Sequence, residues 1–312
     1  MGKMACVFPG QGAQGIGMGQ DLFQTPIGKQ ALAIAGETLG EELPRLMREG
    51  PEQELQWTFN AQPAILLVSV VAWSCLTAAG VQADFLAGHS LGEYSAYVAA
   101  DSIGLPEALR LVRKRGEYMQ EASPEGQGMM AAILGARSEW VEQACQAASD
   151  RGVVASANYN CPGQIVISGE KEAVLQAMAT AKELGAKRVV PLAVSGPFHS
   201  KLMQPAAERL AAVLNEVDWQ EPRIPVIANI DALEVSRKER IVPTLLEQIS
   251  GAVRWEQSIQ YLAGQGVDTF VECGPGKVLS GLIKKIVPDG KILHIEDQAS
   301  LEKSLAYLKE SR

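Results

Sequence analysis

Aromatic residues make up only 5% of the 312 positions, and histidines number three. No run of about 20 consecutive apolar residues occurs, so no membrane span is expected. The most apolar stretch, Pro63–Ala79, is broken by Ser69, Ser74 and Thr77 and reads as a central core helix. The five cysteines, Cys6, Cys75, Cys145, Cys161 and Cys273, form no C-x-x-C pair. Their odd number and wide scatter argue against a disulfide framework or a structural zinc site, and for reduced thiols in the cytoplasm. Excess positive charge is also missing. Against 36 Asp and Glu stand 28 Lys and Arg, a net charge of −8, which disfavours bulk attraction to nucleic acid or an anionic membrane. No basic segment followed by a long apolar one marks a secretory signal, and Cys6 stands where a myristoylation motif wants Ser or Thr. Repeats, low-complexity tracts and a G-x-x-x-x-G-K-[ST] phosphate loop are all wanting.

What is present is a chain with 47% hydrophobic residues and 30 glycines, long enough for two domains. Short apolar runs alternate with helical patterns, the habit of a parallel sheet flanked by helices. Strands are predicted at Met4–Phe8, Asp84–Ala87, Pro225–Ala228, Thr269–Cys273 and Ile292–Ile295. Helices are predicted at Gly28–Leu39, Pro63–Ala79, Leu105–Ala122 and Lys201–Glu216. One segment departs from this rhythm. Strand Met129–Leu134, helix Ser138–Ser149, strand Val153–Ala157, a turn at Asn160–Gly163, strand Gln164–Ser168, helix Glu170–Leu184 and strand Arg188–Val194 follow in turn. That order, βαββαβ, is ferredoxin-like. The reading is an α/β chain whose large parallel-sheet domain, 1–126 and 196–312, carries an inserted ferredoxin-like domain at 127–195.

Gly88-His89-Ser90-Leu91-Gly92 matches G-x-S-x-G, with a predicted strand before it and a helix beginning at Glu93 after it. The glycines permit a sharp turn that presents Ser90 Oγ at a helix N-terminus, where developing negative charge is favoured. Such a nucleophile needs a base. His89 adjoins Ser90 and diverges from it in such a turn. His199 sits in the loop Val194–Ser200 that closes the insert, and His294 in a strand near the C-terminus. A hydrolase takes its base late in the chain, which favours His294; loop position favours His199.

The cluster Gly10-x-Gly12-x-x-Gly15 follows a strand, but no strand ending in an acid comes about 20 residues later, where Glu37 lies within a helix. It reads as a flexible backbone that presents Gln11 at a strand's carboxyl end. On the helix Leu105–Ala122, Arg115 borders an apolar stripe of Leu105, Ala108, Leu109, Val112 and Met119, whereas Arg110, Arg113 and Lys114 point to solvent. A guanidinium so placed either pairs with an internal carboxylate or clamps a substrate's.

The motifs Phe8–Gln14, Gly88–Glu93, the Arg115 helix, Ser195–Ser200 and Val271–Lys277 occur in an order and spacing that resemble the malonyl-CoA:acyl carrier protein transacylase family. The resemblance implies a hydrolase-like α/β domain with a ferredoxin-like insert. It implies Ser90 as the acylated nucleophile, His199 as its base, and Gln11 and the Leu91 N–H at the oxyanion hole. Arg115 would bind the malonyl carboxylate, and the main-chain carbonyl of Gln248 would orient His199 in place of an acid. Asn160 and Phe198 would lie near the substrate, with Phe198 crowding its α-carbon and so favouring malonyl over methylmalonyl. The expected partners are malonyl-CoA and acyl carrier protein, for fatty acid or polyketide synthesis. No metal or bound cofactor is expected, since the phosphopantetheine belongs to the carrier, and a monomer is expected. Lys187-Arg188 and Lys284-Lys285 are candidate carrier contacts. Two rival functions are a serine thioesterase or esterase and a non-catalytic carrier-docking module.

Overall fold

The computed structural model describes residues 2–122, 126–193 and 196–310. Among these residues ten strands fall into two sheets. They are β1 (Lys3–Phe8), β2 (Phe85–Gly88), β3 (Gly128–Leu134), β4 (Val154–Cys161), β5 (Gln164–Glu170), β6 (Arg188–Pro191), β7 (Val226–Ile227), β8 (Glu234–Val235), β9 (Val267–Cys273) and β10 (Lys291–Ile295). The larger sheet has the order β10-β9-β1-β2-β7-β8, parallel throughout except for the β7–β8 pair. The smaller has the order β4-β5-β3-β6, antiparallel at every pair. With the helices Ser138–Ala147 and Lys171–Glu183 it forms the expected βαββαβ unit. The expected linker residues Ser123, Pro124 and Glu125, and Val194 and Ser195 at the insert's end, lie outside the described residues.

Apolar runs bounded by turns became parallel strands because helices cover both faces of the large sheet. Buried clusters lie on either side of β1: Cys6 and Phe8 face one, Ala5 and Val7 the other. The helix Thr58–Ala78 begins five residues earlier than predicted, with Pro63 inside it. Proline there forgoes one intrahelical hydrogen bond, a cost that burial of the apolar helix offsets. This helix is long and apolar enough to cross a membrane, yet 83% of its most apolar stretch is buried inside the fold. All five cysteines are free and buried.

Two further elements differ from expectation. β4 runs on through Asn160 to Cys161, which pairs with Gln164, so the turn shrinks to Pro162-Gly163. Proline pre-sets the first turn residue and Gly163 takes the positive φ of 74°. The edge strand β8 is only two residues long, too short to leave a period in the sequence. The small sheet is fastened to the large domain where Tyr159 N–H donates to Val253 O at 2.9 Å and Val253 N–H to Ala157 O at 2.8 Å. That seam places Asn160 beside the carboxyl ends of β1 and β2.

Candidate active site

The parallel sheet delivers three loops to one edge. β1 leads into Pro9–Gln14, β2 into Ser90, and β7 towards Asn229. Ser90 stands between β2 and the helix Leu91–Ala99 with φ 51° and ψ −106°, a strained conformation for a residue with a side chain. The flanking glycines have a steric reason. A Cβ on Gly88 would lie 1.8 Å from the carbonyl carbon of Gly92, and one on Gly92 2.0 Å from the carbonyl oxygen of Phe8. Gly10 approaches as closely, since its Cβ would meet the His89 carbonyl oxygen at 2.5 Å. The glycine cluster after β1 therefore lets its loop lie directly against the serine turn.

Ser90 Oγ–H donates to His199 Nε2 at 2.8 Å, and His199 Nδ1–H donates to the main-chain carbonyl of Gln248 at 2.8 Å. The carbonyl can only accept, so it fixes the tautomer that leaves Nε2 free as the acceptor. His199 is buried and also has a positive φ, 57°. Burial, reinforced by the Arg115 charge, pushes its pKa down to about 3. The imidazole is neutral and lies against the hydroxyl.

Arg115 is 1% exposed. Its Nη2–H groups donate to Ser90 Oγ at 3.1 Å and Gln248 Oε1 at 2.9 Å, and Nη1–H donates to Gln62 Oε1 at 2.8 Å. Its guanidinium carbon lies 5.1 Å from the centroid of the Tyr94 ring. It pairs with no carboxylate among the described residues, and its buried Nε lacks a hydrogen-bond partner among them. A buried cation held only by neutral groups is an open position for an anion. Arg110 and Lys114 are exposed as expected, but Arg113 is half-buried, its guanidinium over the Phe59 ring and its Nη1–H on Asn60 Oδ1. The planar guanidinium packs on an aromatic face where an ammonium would seek water.

Gln11, Asn160 and Phe198, with Ser90, Arg115 and His199, border one cleft of about 750 Å³. Gln11 lines it and reaches Thr58 Oγ1 with its side-chain N–H, at 3.3 Å. Leu91 is buried, and as the first residue of its helix it has an N–H without an intrahelical acceptor. Asn160 Oδ1 accepts from His89 Nε2–H at 2.9 Å, and Phe198 lines the wall beside His199. His294 lies elsewhere, on β10, 3.7 Å from Glu296. Lys284 and Lys285 are exposed on the helix Val278–Ile286, whose Leu279 and Leu282 wall the cleft. Lys187 and Arg188 are exposed at the edge of the small sheet.

Three polar residues beneath Ser90 escaped the sequence reading. Asn229 accepts the Ser90 N–H at 2.7 Å and donates to Gly88 O at 2.6 Å. Gln62 holds Arg115, and its signal was a lone polar side chain opening an apolar run. Glu93, read only as the start of a helix, is fully buried. Its Oε2 accepts from Asn229 N at 2.9 Å and Gln248 Nε2 at 2.8 Å, and burial pushes its pKa up to about 7.

A serine held by a neutral histidine and a carboxylate-seeking arginine suits acyl transfer with an acidic acyl group, and comparison with known proteins points the same way. The acyl transferase domain family matches residues 5–300. The chain is 49% identical to a malonyl CoA-acyl carrier protein transacylase of Bacillus subtilis, across 99% of this chain and 98% of the relative. It is 45% identical to one from Escherichia coli K12, across 92% of this chain and 94% of the relative. It superposes with a TM-score of 0.95 on an acyl carrier protein S-malonyltransferase from Vibrio cholerae, at 45% identity over 97% of this chain and 99% of that one. The same score, at 44% identity over 98% and 99%, relates it to a malonyl-transacylase solved in complex with a type II PKS acyl-carrier protein. Likeness of that extent, over both sheets and the cleft between them, shows that the chain belongs to the malonyl-CoA:acyl carrier protein transacylase family of acyl transferases.

Proposed function

We propose that the protein transfers a malonyl group from malonyl-CoA to the phosphopantetheine thiol of an acyl carrier protein through a malonyl-Ser90 ester. The observation that carries this reading is the shared contact at one atom: Ser90 Oγ meets His199 Nε2 at 2.8 Å and Arg115 Nη2 at 3.1 Å. The carboxylate carbon of a malonyl ester lies three bonds from Oγ, so the acyl chain folds back onto the guanidinium already beside the nucleophile.

His199 takes the Ser90 proton as Oγ attacks the thioester carbonyl. The tetrahedral oxyanion is met by the Leu91 N–H and the Gln11 loop, where a donor is worth about 3 kcal/mol of barrier in comparable sites. The C–S bond breaks, and the imidazolium returns its proton to the CoA sulfur. The carrier thiol then gives its proton to His199 and attacks the ester, and the C–Oγ bond breaks as Oγ takes the proton back. Gln248 holds the imidazole through its carbonyl. Arg115 selects the acyl group, since acetyl would leave a buried guanidinium unpaired.

In the same proposal, 1–126 and 196–312 form the catalytic body and 127–195 the insert, supported by the separate sheet and separate apolar core at β3–β6. Lys284-Lys285 is the carrier contact favoured by its place at the cleft. The five free thiols suit a cytoplasmic protein serving fatty acid or polyketide synthesis. Mass spectrometry after mixing with malonyl-CoA tests the proposal. It expects a malonyl adduct on Ser90 that a carrier thiol discharges. An unmodified serine ends it, and rapid release of free malonate without a carrier returns the thioesterase.

A further inference from the structure

Gln248 touches four residues of the site, His199, Arg115, Ser90 and Glu93. Its main-chain oxygen takes the His199 Nδ1–H, its Oε1 takes the Arg115 Nη2–H at 2.9 Å, and its Nε2–H groups reach Ser90 O at 3.0 Å and Glu93 Oε2 at 2.8 Å. The amide orientation is dictated by these neighbours. Turned over, Oε1 would face a carboxylate and a carbonyl, while the amino group would face a guanidinium. One neutral amide thus stands between two buried groups of opposite charge.

Glu93 and Arg115 are both buried, 0% and 1% exposed, and each keeps one polar atom without a partner among the described residues, Glu93 Oε1 and Arg115 Nε. Opposite charges in such surroundings gain most by direct contact. The side chain of Gln248 prevents it. Resting on the malonyl-transfer reading, the geometry points to the Gln248 side chain as a specificity-determining spacer, which lets Glu93 counter the buried Arg115 at one remove and leaves the guanidinium open to the substrate's carboxylate. A direct Glu93–Arg115 pair would occupy that guanidinium and reject malonate as a competing anion. Without Glu93, the cation would lose the one carboxylate that acts on it among the described residues.

The test places the anion where the amide now stands. In Gln248→Glu the main-chain carbonyl that holds His199 remains. The new carboxyl and Glu93 lie too close for both to ionise, so they share one proton and a negative charge sits against Arg115. The expected result is a KM for malonyl-CoA raised at least about tenfold, with kcat changed less and acetyl-CoA turnover not weakened in parallel, since uniform binding of the carboxylate is what is lost. Gln248→Met, an uncharged side chain of similar length, loses the amide contacts to Arg115 and Glu93 but puts no anion on the guanidinium, so it should raise that KM clearly less than Gln248→Glu does. Malonylation of wild-type Ser90, read by mass spectrometry in the same series, tests the underlying function separately. If wild type is malonylated while folded Gln248→Glu keeps the wild-type KM, the spacer is overturned. It is equally overturned if Gln248→Met fails as badly as Gln248→Glu. Should Gln248→Glu not fold, Gln248→Ala opens a path between Glu93 and Arg115. It should lose malonyl saturation and regain it when Glu93→Gln is added; no recovery overturns the proposal.

Discussion

His199 donates its Nδ1–H to a main-chain carbonyl, that of Gln248, at the place where a hydrolase triad sets a carboxylate. The neutral acceptor orients the ring but supplies little compensation for a positive imidazolium, and Arg115 nearby opposes that charge further. In the proposed reaction a malonyl carboxylate on Arg115 would remove the opposition and so link substrate binding to base strength through one guanidinium.

The histidine assignment is tested by paired substitutions. His199→Ala should slow acylation of Ser90 by about 10²–10⁴-fold, the usual share of a general base. His294→Ala should leave it near wild type, since His294 sits on β10 beside Glu296. Single-turnover acylation with malonyl-CoA reads both, and the reverse pattern would favour a hydrolase-type site.

Arg115→Ala should lower kcat/KM for malonyl-CoA by at least about 10²-fold, a loss expected of a charged hydrogen-bonded pair, and raise acetyl transfer relative to malonyl. Arg115→Lys should recover only part of the loss, because an ammonium cannot serve Gln62, Gln248 and the substrate from one plane. Competition between malonyl-CoA and acetyl-CoA measures the ratio directly. An unchanged ratio would return Arg115 to a structural role.

Much of this site was legible before the structure. The elbow at Ser90 announced itself because close backbone approach demands glycine at positions 88 and 92, and glycine at fixed spacing is readable. Arg115 was readable because a charge beside an apolar helical stripe breaks a period. The βαββαβ order of the insert was readable for the same reason, its periods alternating between strand and helix. Glu93, Gln62 and Asn229 were not. Their roles arise where three separate elements meet under Ser90, and no local period records such a meeting. Arg115 also illustrates a choice the sequence left open. Both an internal ion pair and an open clamp fit its helical position, and only its neutral partners, Gln62 and Gln248, distinguish them.

Glu93 and His199 give opposite pH signatures in stability. His199 is held at about 3 against an ordinary 6.5, so the unfolded chain binds a proton that the folded chain refuses. Its contribution is present above about pH 6.5 and lost as pH falls towards 3. Glu93 is held at about 7 against an ordinary 4.5, so the folded chain keeps a proton the unfolded chain releases. That contribution is full below about pH 4.5 and lost as pH rises through 7. Glu93→Gln should therefore gain about 3 kcal/mol relative to wild type on going from pH 4.5 to 8. Urea unfolding across that range checks it, and parallel curves for the two proteins would contradict the buried carboxylate's titration.

Gly92→Ala tests the steric basis of the serine turn. The new methyl would lie 2.0 Å from the Phe8 carbonyl oxygen, at the end of a central strand paired on both sides. Phe8 cannot yield without breaking sheet hydrogen bonds, nor Gly92 without disturbing the first turn of its helix, so a loss of about 1–3 kcal/mol is expected, as for overpacking elsewhere. Acylation should fall further than stability alone explains, because Ser90 Oγ shifts relative to His199. Thermal unfolding and the acylation rate, measured on the same preparation, separate the two effects.

Phe198 offers the last test, of selection at the acyl α-carbon. It is 6% exposed, lines the cleft and immediately precedes His199, whose backbone is fixed by a positive φ and whose ring is fixed by Gln248. Its burial and its place in the cleft wall set the phenyl ring beside the atoms that receive the acyl group. An α-methyl on the substrate adds one carbon on that side, and a pocket discriminates one methyl by about 1–3 kcal/mol. Phe198→Leu keeps an apolar wall while removing part of the ring, so it should raise methylmalonyl-CoA transfer relative to malonyl-CoA by about tenfold. Malonyl transfer itself should change little, because Arg115 and Ser90 are untouched. The ratio of kcat/KM for the two thioesters is the measurement. A ratio that stays at the wild-type value, with Ser90 still acylated by malonyl-CoA, would assign the selection to another wall of the cleft.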